Sequence, residues 1–238
     1  MIGFNGTNPS SEKPTSTFQI TTYFDSSAYS TDYNDTLAFV ANASVITSIQ
    51  LTRINSTVGA NTTYTFMYTS LNSLAAGSQL TVQLCPEIAF SNSVQVLVNG
   101  SQVNSTVNTR NVTINITNNI TKNSTSNITI VGLFNANSTK ATSSLVVEAT
   151  IGGYRVEAMT TGLQLIGGTP AAFAQLPAIT PSSSRNGQWN SYNLTLSPSV
   201  TYANGTKLQL TVPSQISLST NISCSTGSGF NTALSAKC

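Results

Sequence analysis

The sequence predicts an all-β fold of sandwich type, and three observations indicate it. Segments rich in Thr, Val, Ile, Tyr and Phe alternate polar and apolar residues, which is the pattern of a half-buried strand. Turn signals such as Asn-Gly, Gly-Gly and Pro-Ser separate these segments at short intervals. No window of about 11 residues carries a convincing 3.6-residue apolar period, so helices are not expected.

The strand candidates follow one another along the whole chain. In order they are Thr17–Tyr23, Thr36–Val40, Val45–Ile54, Thr62–Tyr68, Ser78–Leu84, Val94–Val98, Asn111–Thr117, Asn127–Ile130, Ser144–Thr150, Tyr154–Met159, Gly162–Ile166, Ser191–Leu196, Lys207–Val212 and Gln215–Leu218. Residues 118–126 are expected to form a polar hairpin connection between two of them. The apolar stretch Gly162–Thr180 is interrupted by glycines and prolines, so it predicts a strand and an interdomain connector, not a membrane span.

The composition is polar without being charged. Of 238 residues, 34 are Ser, 36 are Thr and 25 are Asn, whereas 7% are charged and none is His. The absence of His excludes His-based catalysis and His metal sites, and a net charge of +2 gives no electrostatic surface for nucleic acid. We therefore expect neither an enzyme nor a cofactor-binding protein.

Glycosylation signals are unusually dense. The pattern Asn-x-Ser/Thr occurs sixteen times, about twice the seven or so that random order would give with this composition. The acceptors are Asn5, Asn34, Asn42, Asn55, Asn61, Asn99, Asn104, Asn111, Asn115, Asn119, Asn123, Asn127, Asn137, Asn193, Asn204 and Asn221. They predict a secreted, extracellular protein with many covalent N-glycans, whose sugars replace charge as the source of solubility. No leader precedes the first strand, so Met1 is not expected to be the translation start.

Five of the acceptors stand four residues apart, from Asn111 to Asn127. Around Asn111 and Asn115, Val112, Ile114 and Ile116 alternate with the polar positions. Period-two alternation places the aliphatic side chains on the inner face and the acceptors on the outer face.

An internal match links two parts of the chain. Residues 64–88 align without gaps on residues 192–216 at an offset of 128, with five identities and matching apolar positions. Residues 17–23 and 37–40 resemble residues 145–150 and 163–166 at offsets of 127 and 126. Gly77 is expected in a left-handed turn between two strands of the first segment.

The match predicts two Ig-like or Greek-key sandwich units in tandem, of which the second is incomplete. The expected domains are an N-terminal strand segment at 1–46, a complete unit at 47–174 and a partial unit at 175–238. The N-terminal strands could complete the partial unit of a neighbouring copy, which would build a homopolymeric fibre. The same strands could instead fold onto their own chain, or the sequence could be a slice of a longer array.

Smaller features leave alternatives open. Cys224–Cys238 is the expected disulfide, while Cys85 is a buried small residue, an intermolecular link or a partner in another pairing. Asp32 and Asp35 favour a turn over a small Ca²⁺ loop. Trp189, Tyr192 and Tyr202 are candidates for a sugar-binding surface, although alternation favours core positions for the two tyrosines.

The segments Thr15–Tyr23, Asn61–Phe66 and Leu74–Ser78 resemble the Ser/Thr/Asn-rich repeats of large extracellular protist surface and filament glycoproteins. The resemblance implies β-sandwich repeats in a structural glycoprotein. The usual repeat in that class carries paired cysteines, whereas residues 47–174 contain only Cys85. The expected function is a structural fibre subunit. The alternative is a cell-surface adhesin or a carbohydrate-binding coat protein.

Overall fold

A computed structural model describes residues 5–24, 29–165, 167–202 and 206–218. Within these residues the chain forms fifteen strands and no helix, so the predicted all-β class is confirmed. The chain divides into two compact units, Met1–Thr201 and Tyr202–Cys238, and all fifteen strands lie in the first.

The strands are numbered in chain order. They are β1 (Phe18–Phe24), β2 (Tyr29–Leu37), β3 (Ser44–Val45), β4 (Ile49–Arg53), β5 (Asn61–Thr69), β6 (Gln79–Gln83), β7 (Ala89–Val98), β8 (Ser101–Gln102), β9 (Ser105–Asn108), β10 (Asn111–Asn115), β11 (Thr125–Phe134), β12 (Val146–Ile151), β13 (Tyr154–Ala158), β14 (Gln175–Pro181) and β15 (Tyr192–Ser197).

Two larger sheets make a sandwich-like body, and two hairpins stand outside it. One sheet has six strands in the order β3-β13-β12-β6-β10-β9, and the other has five in the order β4-β5-β11-β7-β8. The hairpins β1–β2 and β14–β15 each form a separate two-stranded sheet. The neighbours in both larger sheets pair antiparallel, except β3 and β13, which pair in parallel.

A single hydrophobic core draws on both larger sheets. From the five-stranded sheet, alternate residues of β5 (Tyr64, Phe66 and Tyr68) are fully buried. From the six-stranded sheet, Val112 and Ile114 of β10 are equally buried. Side chains of a strand point alternately to opposite faces, so the residues between them lie on the outer face. The predicted inward and outward positions of β10 are thus confirmed.

A glycine lies at an irregularity that β11 shows in its pairing with both neighbours. The ladders of β11 with β5 and with β7 both shift register between Val131 and Leu133. Gly132 sits at that shift with φ of +87°, and a Cβ there would meet the carbonyl oxygen of Ser93 and the hydroxyl of Ser91 at 2.5 Å. Only glycine takes this conformation in this space without strain.

Most predicted strands occur within a few residues of their expected limits, but Val45–Ile54 is not one strand. Ser44–Val45 and Ile49–Arg53 belong to different sheets. Between them Ile46 is buried, and its N–H donates to the carbonyl of Ala158 at 2.9 Å. The chain crosses from one sheet to the other at this point, and the local residue pattern of Val45–Ile54 does not reveal the crossing.

The predicted hairpin connection at residues 118–126 is also wrong. The strands on either side of it, β10 and β11, lie in different sheets. Ile120 forms a bridge with Leu74, and the N–H of Ile116 donates to the carbonyl of Ser78. The segment therefore crosses from one sheet to the other at the end of the sandwich, where the apolar Ile120 pairs with Leu74 on another loop.

Two further strand limits differ. Of the predicted strand Thr36–Val40, only Thr36 and Leu37 lie in a strand, at the end of β2, which begins at Tyr29; residues 38–40 are not in a strand. In the predicted strand Gly162–Ile166, Leu163 alone forms a bridge, to Leu145, and Ile166 lies outside the described residues. Short strands β8 and β9, with small polar residues, carried no pattern from which to predict them.

The sequence predicts a connector at the end of the apolar stretch, but residues 175–181 form strand β14. Pro177 and Pro181 lack an N–H group and fit a strand that has a neighbour on one side only. Conversely, the predicted strands Lys207–Val212 and Gln215–Leu218 are not strands in the described part of the second unit, where the N–H of Ile216 closes a turn on the carbonyl of Pro213.

We expect Gly132→Ala to lower the free energy of unfolding by at least about 2 kcal/mol, because it adds a backbone clash to the strain of a positive φ. Gly77→Ala is the matched control: φ is +91° and nothing lies within 4 Å of the added Cβ. The control should lose about 1 kcal/mol. Urea unfolding of both variants measures the difference, and equal losses would contradict the role given to the bulge.

Candidate functional site

Every described acceptor asparagine is exposed. Fourteen of the sixteen fall within the described residues, and all fourteen are exposed; Asn204 and Asn221 lie outside them. Among the described asparagines that are not acceptors, Asn135 is buried and Asn72 and Asn190 are half-buried. No described acceptor is therefore buried, whereas three of the other described asparagines are buried or half-buried.

The side-chain nitrogens of the fourteen described acceptors also donate no hydrogen bond to the protein. Sugar is attached to the amide nitrogen, Nδ2, of the asparagine. In the part of the chain that the structure describes, Nδ2 donates a hydrogen bond in Asn72, Asn135 and Asn190, none of which is an acceptor. Acceptors do use their oxygens: Oδ1 of Asn34 and Oδ1 of Asn55 each accept the N–H of the residue two positions on.

The outer faces of the sandwich carry hydroxyls between the acceptors. Threonine pairs stand opposite each other across the ladders, with hydroxyls 3.3 Å apart at Thr65 and Thr129 and 2.9 Å apart at Thr69 and Thr125. Such cross-strand pairs stabilise a sheet modestly without any charge. The surface is thus built from hydroxyls and amides in regular rows.

A buried carboxylate links the two sheets. Glu157 of β13 is fully buried, and its Oε2 accepts the hydroxyl of Tyr68 of β5 at 2.7 Å. Its Oε1 accepts the hydroxyl of Ser70 at 3.1 Å and the N–H of Asn72 at 2.5 Å. Strand β13 therefore packs across from β5, and a polar contact inside the core joins the two strands.

Sequence reasoning did not single out Glu157. Its neighbour Val156 is buried as well, so the strict alternation that would put one of them outside fails here. The cause is a register shift in the β12–β13 ladder between Ala149 and Thr150. A bulge of this kind leaves no signature in the local sequence.

The N-terminal hairpin β1–β2 reproduces the hairpin β12–β13. The pairs Thr21↔Tyr33, Thr22↔Asp32, Tyr23↔Ser30 and Phe24↔Tyr29 correspond to Glu148↔Ala158, Ala149↔Glu157, Thr150↔Arg155 and Ile151↔Tyr154. The offset is 127 on the first strand and 125 on the second. The register shift falls at the same place, between Thr22 and Tyr23 in one hairpin and at its equivalent in the other.

The correspondence extends past the strands. The N–H of Thr15 donates to the carbonyl of Phe39 at 2.9 Å, and the N–H of Phe39 donates to the hydroxyl of Thr15 at 3.0 Å. Thr142 and Leu165 make the same two bonds, each at 3.1 Å. Asp32 stands where Glu157 stands in the sandwich.

The two hairpins differ in burial. Leu145, Val147 and Leu165 are buried in the core, whereas their equivalents Phe18, Ile20 and Phe39 are 44%, 52% and 43% exposed. An apolar face that is core in one hairpin is open to solvent in the other.

The hairpin β14–β15 reproduces β4–β5 in the same way. Adding 128 to the pairs Gln50↔Met67, Leu51↔Phe66, Thr52↔Thr65 and Arg53↔Tyr64 gives the pairs Ala178↔Thr195, Ile179↔Leu194, Thr180↔Asn193 and Pro181↔Tyr192 of the second hairpin. This offset is the one found in the sequence match. Every residue of β14 is exposed, and Leu176 is 94% exposed.

The acidic pair does not form the expected turn. Asp32 and Asp35 lie in strand β2. Oδ2 of Asp32 accepts the hydroxyl of Thr22 at 3.1 Å, and Oδ2 of Asp35 accepts that of Tyr33 at 2.9 Å. The polar segment forms a strand because it pairs with the more apolar β1. Among the described residues, no group of three or more acidic or Cys side chains is placed to hold a metal ion.

The predicted core positions of two tyrosines are wrong. Tyr192 is 47% exposed on β15 and Tyr202 is 41% exposed in the second unit. Trp189, in the loop that precedes β15, is 79% exposed. Tyr192 is exposed because the hairpin that carries it has no covering sheet within the described residues.

Of the cysteines, Cys85 is a free, buried member of the core. Burial is the main cause that raises the pKa of its thiol, which keeps it protonated and unreactive. The predicted disulfide between Cys224 and Cys238 lies outside the described residues.

No protein-family model matches this chain, and no curated protein matches it either. Within the described residues there is also no helix with the length and apolar character needed to cross a membrane.

Tyr68 is buried where the two sheets meet, so we expect the protein to lose stability in alkali. Burial, first of all, raises the pKa of Tyr68 well above its ordinary 10.0. Above pH 10 the unfolded chain therefore holds fewer protons than the folded chain, so the free energy of unfolding falls as pH rises. Each such tyrosine contributes up to about 1.4 kcal/mol per pH unit.

Tyr68→Phe should flatten this slope by that amount. It should also cost about 1–3 kcal/mol at pH 7, because Glu157 loses a hydrogen-bond donor. Phe66→Leu is the control, since it loosens the same core without removing an ionisable group. Denaturant unfolding from pH 7 to pH 12 gives both numbers; identical slopes for the two variants would overturn the assignment.

Proposed function

We propose that this chain is a structural subunit of an extracellular, heavily N-glycosylated fibre that assembles head to tail by β-strand exchange. The observation that carries the glycoprotein part is the exposure of all fourteen described acceptors, each with its Nδ2 free of a protein partner. Attachment of a glycan to an outward Nδ2 breaks no hydrogen bond of the fold.

The scarcity of charge supports the same proposal. With 7% charged residues, the surface has little electrostatic repulsion to keep copies apart in solution. Hydrated sugars on both outer faces supply that solubility and leave only selected surfaces free for contact. In this proposal glycans are the only covalent additions, and the chain has no cofactor and no catalytic role.

The assembly part rests on the two exposed hairpins. Each repeats the register of a hairpin that the sandwich buries, as expected for tandem Ig-like units that share one plan. Exposed strands with apolar faces are sites for pairing with another chain. A contact between unlike surfaces of two copies continues without closing unless the rotation closes a ring, so it builds a fibre.

The glycan proposal is tested by intact mass before and after enzymatic deglycosylation of protein from its natural source. We expect a loss of mass that corresponds to many glycans. Asn115→Gln and Asn127→Gln should each remove one glycan, because both acceptors are exposed on strands. Asn118→Gln is the matched control: it is exposed, adjacent to Asn119 and outside the motif, so the mass should change only by the substitution. An unmodified mass for the native protein would sink the proposal.

The fibre proposal is tested by electron microscopy of the native material at rising concentration. Filaments of regular repeat are expected. Dispersed monomers at the highest concentration would contradict the proposal, whatever the sugar content.

One observation favours the alternative, a surface adhesin or carbohydrate-binding coat protein. Trp189 is 79% exposed and lies three residues before Tyr192, so two aromatic rings are accessible on one hairpin. Aromatic faces of this kind pack on sugars. A glycan array tests the alternative: binding that Trp189→Ala abolishes would support it, and the absence of binding by the native protein would count against it.

A further inference from the structure

We propose that hairpin β1–β2 of one copy completes a sandwich on a second copy, where it takes the place that β12–β13 has in the intact sandwich. Strand β1 pairs antiparallel with residues 207–211 of the second copy. The inference rests on the proposed function, because it names the surfaces through which the strand exchange occurs.

The first step is that hairpin β1–β2 has the same strand pairing as hairpin β12–β13. β1–β2 shares with β12–β13 four consecutive pairs, the bulge and the Thr-hydroxyl bonds beyond the strands. A hairpin of the same register and twist presents the same face to its neighbours. Its exposed residues Phe18, Ile20 and Phe39 correspond to residues that are buried in the core around β12–β13. They would be buried only beside neighbours like those of that core.

The second step is what those neighbours are. In the sandwich, β12 pairs with β6, with Val146↔Gln83, Val147↔Val82 and Glu148↔Thr81. The partner strand across the core is β5, through Tyr68 and Glu157. Equivalents of both exist elsewhere in the chain at the offset of 128: β5 corresponds to β15, and β6 corresponds to residues 207–211.

The third step concerns the conformation and exposure of residues 207–212, which include the segment that corresponds to β6. Residues 207–212 alternate polar and apolar, as β6 does, yet they form no strand in the described part of the second unit. Leu208 and Leu210, which correspond to the buried Leu80 and Val82, are each 53% exposed. A strand pattern with an exposed apolar face is what a segment presents when the strand that would pair with it comes from another chain.

The fourth step is why the partner is a second copy. β1–β2 and β14–β15 belong to the same compact unit, and both are exposed there, so they do not cover each other in one chain. Glu12 fixes the segment before β1 to β13, since its N–H donates to the carbonyl of Arg155 at 2.8 Å and its carboxylate lies 3.4 Å from the guanidinium. Every copy offers both surfaces, so one copy can serve the next.

In the sandwich that two copies would form together, the buried carboxylate has different surroundings from those of Glu157 in the sandwich of a single chain. Asp32 stands where Glu157 stands, but Leu196 and Pro198 of the second copy take the places of the two residues whose hydroxyls donate to Glu157. Neither of these two residues has a hydroxyl. Asp32 instead has a donor within its own hairpin, because its Oδ2 accepts the hydroxyl of Thr22 at 3.1 Å. The carboxylate therefore brings its hydrogen-bond partner with it.

Paired cysteines test the register. Gln19 corresponds to Val146 and Thr211 to Gln83, so Gln19→Cys with Thr211→Cys sets two exposed residues directly opposite each other, at about 4.5–5.5 Å between Cβ atoms. A small movement of the paired strands brings them to the roughly 4.5 Å that a disulfide allows. Gln19→Cys with Gln209→Cys is the matched control, displaced by two residues to about 7–8 Å. The glycosylated full-length chain is oxidised and analysed on a non-reducing gel, beside each single variant.

The expected result is a ladder of linked oligomers for the opposed pair, about tenfold stronger than for the displaced pair or the single variants, because disulfide geometry is strict. A bridge within single chains, equal linking of both pairs, or no linking at all overturns the inference. The outcome is separable from that of the proposed function: glycosylated fibres without the specific ladder refute only this pairing, whereas sugar-free or strictly monomeric native protein refutes the proposed function itself.

Discussion

Strict alternation along the strands is the constraint on which the rest of the structure depends. In β5 and β10 every second side chain enters the core, and the remaining positions carry hydroxyls and amides, with Met67 as the one exception. Because the side-chain period of a strand is two, a slip of one residue would turn every acceptor of a strand inward. A glycan on Asn111 or Asn115 could not enter the core, so modification would oppose such a slip. In a chain with few charges, sugars would thus specify the register as well as supply solubility.

Two polar side chains inside the fold, Glu157 and Asn135, are fully supplied with partners. Glu157 accepts three hydrogen bonds, and Asn135 accepts the hydroxyl of Tyr64 while it donates to the carbonyls of Asn55 and Thr57. Removal of one partner of such a group costs more than the bond contributes, because the other is left desolvated. Apolar packing tolerates several arrangements of two sheets. These directional contacts fix one, with β13 across from β5 and the loop after β4 closed over the sandwich end.

Prediction from the sequence succeeded where local pattern and environment agree. The alternation at Val112 and Ile114 predicted both faces of β10, and the motif at Asn115 predicted exposure. The left-handed turn expected at Gly77 is present, with φ of +91°.

Prediction failed where a distant partner decides the structure. Strand β14 depends on pairing with β15, and the burial of Glu157 depends on a bulge opposite Ala149. Residues 118–126 cross between the sheets because Ile120 bridges to Leu74, which is distant in sequence. The exposure of Phe18 and Tyr192 also lies beyond pattern reasoning, since alternation predicts an inner face without saying which chain covers it.

The energetics of the exposed hairpin explain why strand pairing, and not apolar contact alone, would have to hold copies together. Full burial of a side chain such as Phe18, Ile20, Leu37 or Phe39 stabilises by about 1.5–3 kcal/mol, so covering the exposed half of each gives roughly 1 kcal/mol. Four such residues then give about 4 kcal/mol, which only matches the lower end of the cost of association, about 4–15 kcal/mol. The surplus must come from a backbone ladder, at about 1 kcal/mol net per hydrogen bond, and from burial of Leu208 and Leu210 on the other copy. Backbone bonds form only in register, so an interface of this composition would be selective for its own hairpin and weak toward other apolar surfaces.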